Sequence, residues 1–198
     1  AYAQLWAMQS ITQTTTPQFL THQYNGVYRV VFSADEQKII TAAADNIYGE
    51  ILLWQASDHF ATSTVLYDSD YVADASLSAD GRWLAFSTSQ WMDTYDLEAA
   101  EDQRAGHLPA NRYPYAYTQF SPNSRMISNG NQLWQLTEAG LWSDPVTLNN
   151  RPPDGTGSPL FSHDSHWLVA RGSDYALYRW DTQVLAKAPY VYRGHEGA

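Results

Sequence analysis

Three groups of side chains here have the types that site chemistry requires, and spacing decides against each. His163 and His166 bracket Asp164 in "FSHDSHW", an interval short enough to suggest metal ligation. Other parts of the chain carry Ala34-Asp35 and Pro122-Asn123 at the same place, so a solvated tight turn is expected instead. Asp68, Asp70 and Asp74 in "DSDYVAD" lack the Asp-x-Asp-x-Asp-Gly spacing and distal Glu of a calcium loop, and read as a solvated loop. Ser158 in "GTGSPL" is not framed as Gly-x-Ser-x-Gly, and no helical segment follows to form a nucleophile elbow. The neighbouring "DGTG" has no Gly-Lys-Ser/Thr after it and reads as a turn, not a phosphate loop. The sequence thus predicts no catalytic residue, no metal and no cofactor.

Composition narrows the partners. With 14% aromatic and only 16% charged residues, the chain suits strands better than helices. Its 21 acidic residues exceed its 11 basic ones, for a net charge of -10, which repels nucleic acid and anionic membrane. No apolar run is long enough to cross a bilayer, and the opening AYAQLWAMQS has no charged n-region or long apolar h-region. That opening reads as the middle of an element, and the 198 residues as a piece of a longer or processed chain. Cysteine is absent, which excludes disulfides and thiolate sites. The compartment expected is the cytoplasm, with the periplasm left open.

The elements are repeated. An aromatic or leucine followed by serine at a turn recurs in "VVFSADEQKII", "ASLSADGRWLA", "TQFSPNSRMIS" and "PLFSHDSHWLV", placing Ser33, Ser78, Ser121 and Ser162 at intervals of 45, 43 and 41 residues. A second anchor follows in phase: "ILLWQA", "DTYDLE", "NQLWQL" and "LYRWDT". Each copy reads as a strand, a tight turn, an alternating strand, a second turn and a strand ending in Trp or Tyr. A polar fourth strand follows, as in "STVLY", "DPVTL" and "PYVYR". "DLEAAEDQRAG" (96–106) is the best helical candidate and reads as loop. Four-stranded units at this period are the sequence form of β-propeller blades. The expected fold is all-β: a single propeller segment over residues 1–198. Its blade copies are at about 20–65, 66–105, 106–150 and 151–192, with part-blades at 1–19 and 193–198.

The first copy resembles the WD-repeat family, with His22 at the Gly-His position, Thr41 at the strand serine, Asp45 at the turn aspartate and Trp54 at the terminal tryptophan. The resemblance implies that these four form a hydrogen-bonded structural set within a blade. The third copy keeps Gly106, His107, Ser128 and Trp134, with Asn131 at or near the turn aspartate; the fourth keeps Asp174, Trp180 and Asp181. A fifth begins at Gly194 and His195, and Trp6 matches the end of an earlier copy. The second copy, "SADGRWLAFSTS", resembles TolB-type and peptidase-associated propellers. The family resemblance implies a ring of seven or eight blades. The remaining blades would come from the same longer chain or from a second copy closing the ring as four plus four.

In WD-repeat propellers the loop entering the innermost strand, with that strand's first residues, lines the face where partners bind. By that resemblance the recognition candidates are Tyr28, Arg29, Tyr71, Asp74, Tyr113 and Tyr117; Tyr and Arg are also favoured at binding hot spots. Tyr115 aligns with Val27 and reads as blade packing. Trp83 and Trp167 share a position and are expected to cover a blade edge, while Trp91 and Trp142 are expected in exposed loops. The function expected is a non-enzymatic, bacterial-looking protein-binding scaffold or sensor within a larger signalling protein, binding neither nucleic acid nor membrane. The alternative is a TolB- or peptidase-type propeller that gates substrate for a catalytic domain outside the segment.

Overall fold

A computed structural model of the chain describes residues 1–6, 16–88, 91–99, 104–108, 117–148 and 158–194, residues 104–107 by backbone alone. Among them the only helical element is a single 3-10 turn, Ala56–Asp58, and no helix is long and apolar enough to cross a membrane. The rest is antiparallel sheet. The chain divides into two compact units, residues 1–32 with 36–72, and residues 33–35 with 73–198.

In the first unit, β1 (Tyr2–Leu5) pairs with β2 (Gln18–Thr21). A four-stranded meander follows: β3 (Gly26–Phe32), β4 (Lys38–Ala44), β5 (Tyr48–Gln55) and β6 (Ser63–Asp70). Its core forms where Ile39, Leu52 and Trp54 meet Leu20 of β2 and Ala3 and Leu5 of β1. Gly49 lies so close to the next strand that a Cβ there would stand 2.9 Å from the Val72 backbone nitrogen, a distance no side chain tolerates.

The second unit contains three more meanders. The first is β7 (Val72–Leu77, its first residue belonging to the first unit), β8 (Trp83–Thr88), β9 (Met92–Asp96) and β10 (Arg104–Leu108). The next is β11 (Gln119–Phe120), β12 (Met126–Ser128), β13 (Gln132–Gln135) and β14 (Val146–Thr147). The last is β15 (Leu160–Phe161), β16 (Trp167–Arg171), β17 (Leu177–Asp181) and β18 (Tyr190–Tyr192). The fourth strands expected at "STVLY", "DPVTL" and "PYVYR" are present as β6, β14 and β18. The 96–106 segment differs from the loop expected. Its C-terminal end runs into β10, which completes its sheet by pairing Leu108 with Met92 and His107 with Asp93.

The recurring Ser-x-Asp/Asn turn has a physical reason. Ser78, Ser121 and Ser162 each donate through Oγ to the side-chain Oδ1 two residues on, at 2.5, 2.7 and 2.5 Å. Each also accepts the backbone N–H five residues on, at 2.8–2.9 Å. One hydroxyl thus closes both sides of the turn. The fourth turn residue has positive φ in every copy: Glu36, Gly81, Ser124 and Ser165. In the last two copies that strained residue also links sheets. Ser124 Oγ accepts the Asp80 N–H and Ser165 Oγ accepts the Asn123 N–H, both at 3.0 Å. Replacing Ser124 by alanine should cost about 1 kcal/mol, because the Asp80 amide loses its acceptor. Ser124→Gly should cost less, because glycine relieves the left-handed backbone. Chemical denaturation of the two variants side by side checks the order.

Strand parity assigns each face. In the β7–β10 sheet, Trp83, Ala85 and Met92 share a face and pack with Phe120, Ile127 and Trp134 of the next sheet. In that sheet the opposite face, Met126 and Leu133, packs with Leu168, Ala170, Tyr178 and Trp180 of β16 and β17. Two of the tryptophan expectations are corrected by this stacking. Trp83 covers no edge but is buried between sheets, and Trp142 is half-buried, its ring edge-on to Trp83 with centroids 5.5 Å apart. Trp91 is exposed, as expected.

Candidate partner-binding surface

In the first copy the four residues of the structural set do not form one network. Trp54 Nε1–H donates to Thr41 Oγ1 at 2.8 Å, which is the contact the resemblance implies. His22, however, is partnered by Glu50 and not by Asp45: its Nδ1–H donates to Glu50 Oε1 at 2.9 Å, and the Gln23 amide donates to the same oxygen. Both side chains are buried. Asp45 instead closes its own turn, accepting from the Ile47 and Tyr48 amides at 2.7 and 2.8 Å. These bonds hold its carboxyl below the usual range. Glu50 was missed by sequence reasoning, although one carboxylate inside the apolar run "GEILLW" is a signal, since a buried charge needs a partner.

Burial lowers the His22 pKa below its ordinary 6.5, against the raising influence of Glu50. The unfolded imidazole therefore takes up a proton near pH 6.5 that the folded one refuses. The stability due to His22 is full above that pH and declines as the pH falls toward the folded value. The expected result is an acid slope in first-unit stability beginning below about pH 6.5, well above the window where carboxylates protonate. His22→Asn should remove that slope, as read from denaturation midpoints across pH 5–8.

The later copies depart further from the implied set. Trp134 pairs with Ile127 and Ser128 with Leu133, so Ser128 lies on the opposite face from Trp134 and cannot take its proton. Ser128 Oγ donates to the Gln132 carbonyl, and Trp134 Nε1 is buried without a partner among the described residues. Asp174 accepts from Tyr178 Oη at 3.0 Å and pairs with Arg193, serving its turn. His195 and the His107 side chain lie outside the described residues.

The recognition candidates separate. Tyr28 is 41% exposed and its hydroxyl donates to the Val72 carbonyl; Arg29 and Tyr71 are half-buried. Tyr117 is 46% exposed. Tyr113, like Tyr115, lies outside the described residues. Asp74 is corrected: it is 5% exposed, and its Oδ2 accepts the Thr118 amide at 2.8 Å, joining the innermost strands of two sheets. A residue so placed serves the fold as a strut.

The first-unit candidates share one end of the β3–β6 sheet with residues that sequence reasoning missed. The Asp45 turn presents Ile47 and Tyr48, 65% and 52% exposed, and Tyr48 pairs with Asp70. Beside them Tyr24 Oη donates to Asp68 Oδ1 at 2.7 Å, a bond that pushes the phenol up to about 12. This end of the sheet thus combines exposed aromatic faces with acidic groups. In the second unit a cleft of about 500 Å³ lies at the Ser-x-Asp turns of its last two sheets, lined by Arg125, Gln135, Glu138, Asp164, His166 and Gln183. Asp164 and His166 belong to the expected turn there. Among the described residues no group of three His, Asp or Glu side chains could hold a metal ion.

The β-propeller domain of Cps50 (Swd1) from Myceliophteria thermophila superposes on this chain with a TM-score of 0.68 at 16% identity, over 89% of this chain and 58% of that one. The fold is a β-propeller, and the chain spans 58% of the length of that domain. No family profile and no curated protein matches the sequence.

Proposed function

We propose that this chain is a non-enzymatic protein-binding scaffold or sensor module, part of a larger signalling protein, whose first unit presents Tyr28, Arg29 and Tyr71 and whose second unit presents Tyr117 for protein recognition. The carrying observation is a division of labour. Buried polar groups such as Thr41, Glu50, Asp74 and Ser121 are spent on the fold, while Tyr28, Tyr48 and Tyr117 keep 41–52% of their surface exposed. Propeller architecture is compatible with many functions and supports scaffolding only in general terms. A photo-crosslinking residue at 28 or 117 should trap a discrete protein in extracts of the source cell, and the same residue at Glu138 should not. Equal trapping at all three positions, or at none, would refute the assignment.

A further inference from the structure

The residue entering the second strand is basic in all three sheets of the second unit: Arg82 before β8, Arg125 before β12 and His166 before β16. The three positions are equivalent, since the Leu97, Leu136 and Thr182 amides donate to their carbonyls at 2.7, 2.8 and 2.9 Å. What the third strand sets beside them differs. Asp96 stands opposite Trp83 and Asp181 opposite Trp167, but Gln135 stands opposite Met126. Arg82 Nη2 lies 2.6 Å from Asp96 Oδ2, and His166 Nε2 lies 3.6 Å from Asp181. Arg125 meets an amide where the others meet an acid, and its guanidinium has no partner among the described residues.

Arg125 lines the cleft of about 500 Å³ described above, a size that suits a small molecule. Three other charged side chains line it. Asp164 is taken by the Ser162 hydroxyl and the His166 amide, and His166 by Asp181. Glu138, like Arg125, is without a partner among the described residues, and the two do not pair with each other. A cation and an anion, both uncommitted, are thus held apart in one cleft. The side-chain amides of Gln135 and Gln183 are also uncommitted among the described residues and can donate or accept. Met126, buried, and Leu136, half-buried, add an apolar lining. A phosphate or a dicarboxylate would meet like charge at Glu138 and Asp164, and a dication would meet it at Arg125. A ligand with one charge of each sign can pair both free groups.

We propose that this cleft binds a small zwitterion of the aliphatic α-amino acid class. Its carboxylate takes the planar Arg125 fork, its ammonium meets Glu138, and its side chain lies along Met126 and Leu136. The site uses none of the residues of the protein-binding reading and goes beyond it.

The test is an NMR titration of the isotopically labelled chain with L-leucine, read at the Arg125 Nε–H and the Gln135 and Gln183 side-chain amides. Saturable shifts of these signals are expected. Leucinamide, which lacks the carboxylate, and isocaproate, which lacks the ammonium, should each bind roughly 10-fold or more weakly, the effect of losing one charged hydrogen bond. Arg125→Gln and Glu138→Gln should weaken leucine to a similar degree; both side chains are exposed, so the fold survives. Gln135→Asp is the sharper variant. It restores the acid that the neighbouring sheets carry, ties up Arg125, and should abolish leucine binding without lowering stability. No saturable shift, equal binding of either analogue, or leucine binding unchanged by Arg125→Gln and Gln135→Asp would overturn the proposal. Each of those failures leaves the crosslinking at 28 and 117, and with it the scaffold reading, untouched.

Discussion

Trp134→Ala is expected to destabilise the second unit by about 3–5 kcal/mol, the range for deleting a large aromatic from a packed core. Trp134 is fully buried and packs with Trp83, Ala85, Met92 and Ile127 where two sheets meet. Truncation would open a cavity lined from both sides. Trp134→Phe should cost much less: it keeps most of the apolar volume and removes the indole N–H, which has no partner among the described residues. Trp167→Ala is the informative control. That ring is half-buried and packs against Arg179 on the face of its sheet away from Leu168 and Trp180, and its loss should cost about 1–2 kcal/mol, the size of a partly desolvated cation–π contact. Urea denaturation of the three variants gives the comparison, and equal losses for Trp134 and Trp167 would contradict the assignment of faces.

Asp74→Ala should cost about 2–3 kcal/mol, as expected when a buried amide loses a charged acceptor. The Thr118 amide it serves is 44 residues away, and two residues on the Ser76 hydroxyl accepts the Phe120 amide at 3.4 Å. The two side chains together join β7 to the strand beginning the next sheet. Asp74→Asn keeps an acceptor and should lose about half as much. Neither change should weaken partner binding at a temperature where the variant is fully folded. A large loss of binding by folded Asp74→Asn would restore Asp74 to the recognition surface.

Much of the fold was legible because its signals are local. The serine-led turn closes with hydrogen bonds only two and five residues long, so Ser78, Ser121 and Ser162 mark their positions in any context. Alternation along the strands and aromatic termini at a 41–45-residue interval were enough for four-stranded units and a propeller. The candidate surface was less legible. Tyr28 and Tyr117 are exposed, but Ile47 and Tyr48 look like ordinary strand residues until the Asp45 turn lifts them out.

The misplacements come from strand register and from partners brought in from other sheets. A one-residue displacement reverses the face of a strand residue. Ser128 therefore resembles Thr41 in sequence yet stands away from Trp134. Asp74 looked variable and polar, as a recognition residue would, but its partner lies on another sheet. Composition and period by themselves determined the repeat, the turns and the all-β class, because those depend on neighbours along the chain. Tertiary structure alone decided which face each side chain takes, that Glu50 and not Asp45 holds His22, and that Arg179 rests among three rings. Those outcomes depend on register and on residues brought together from distant strands.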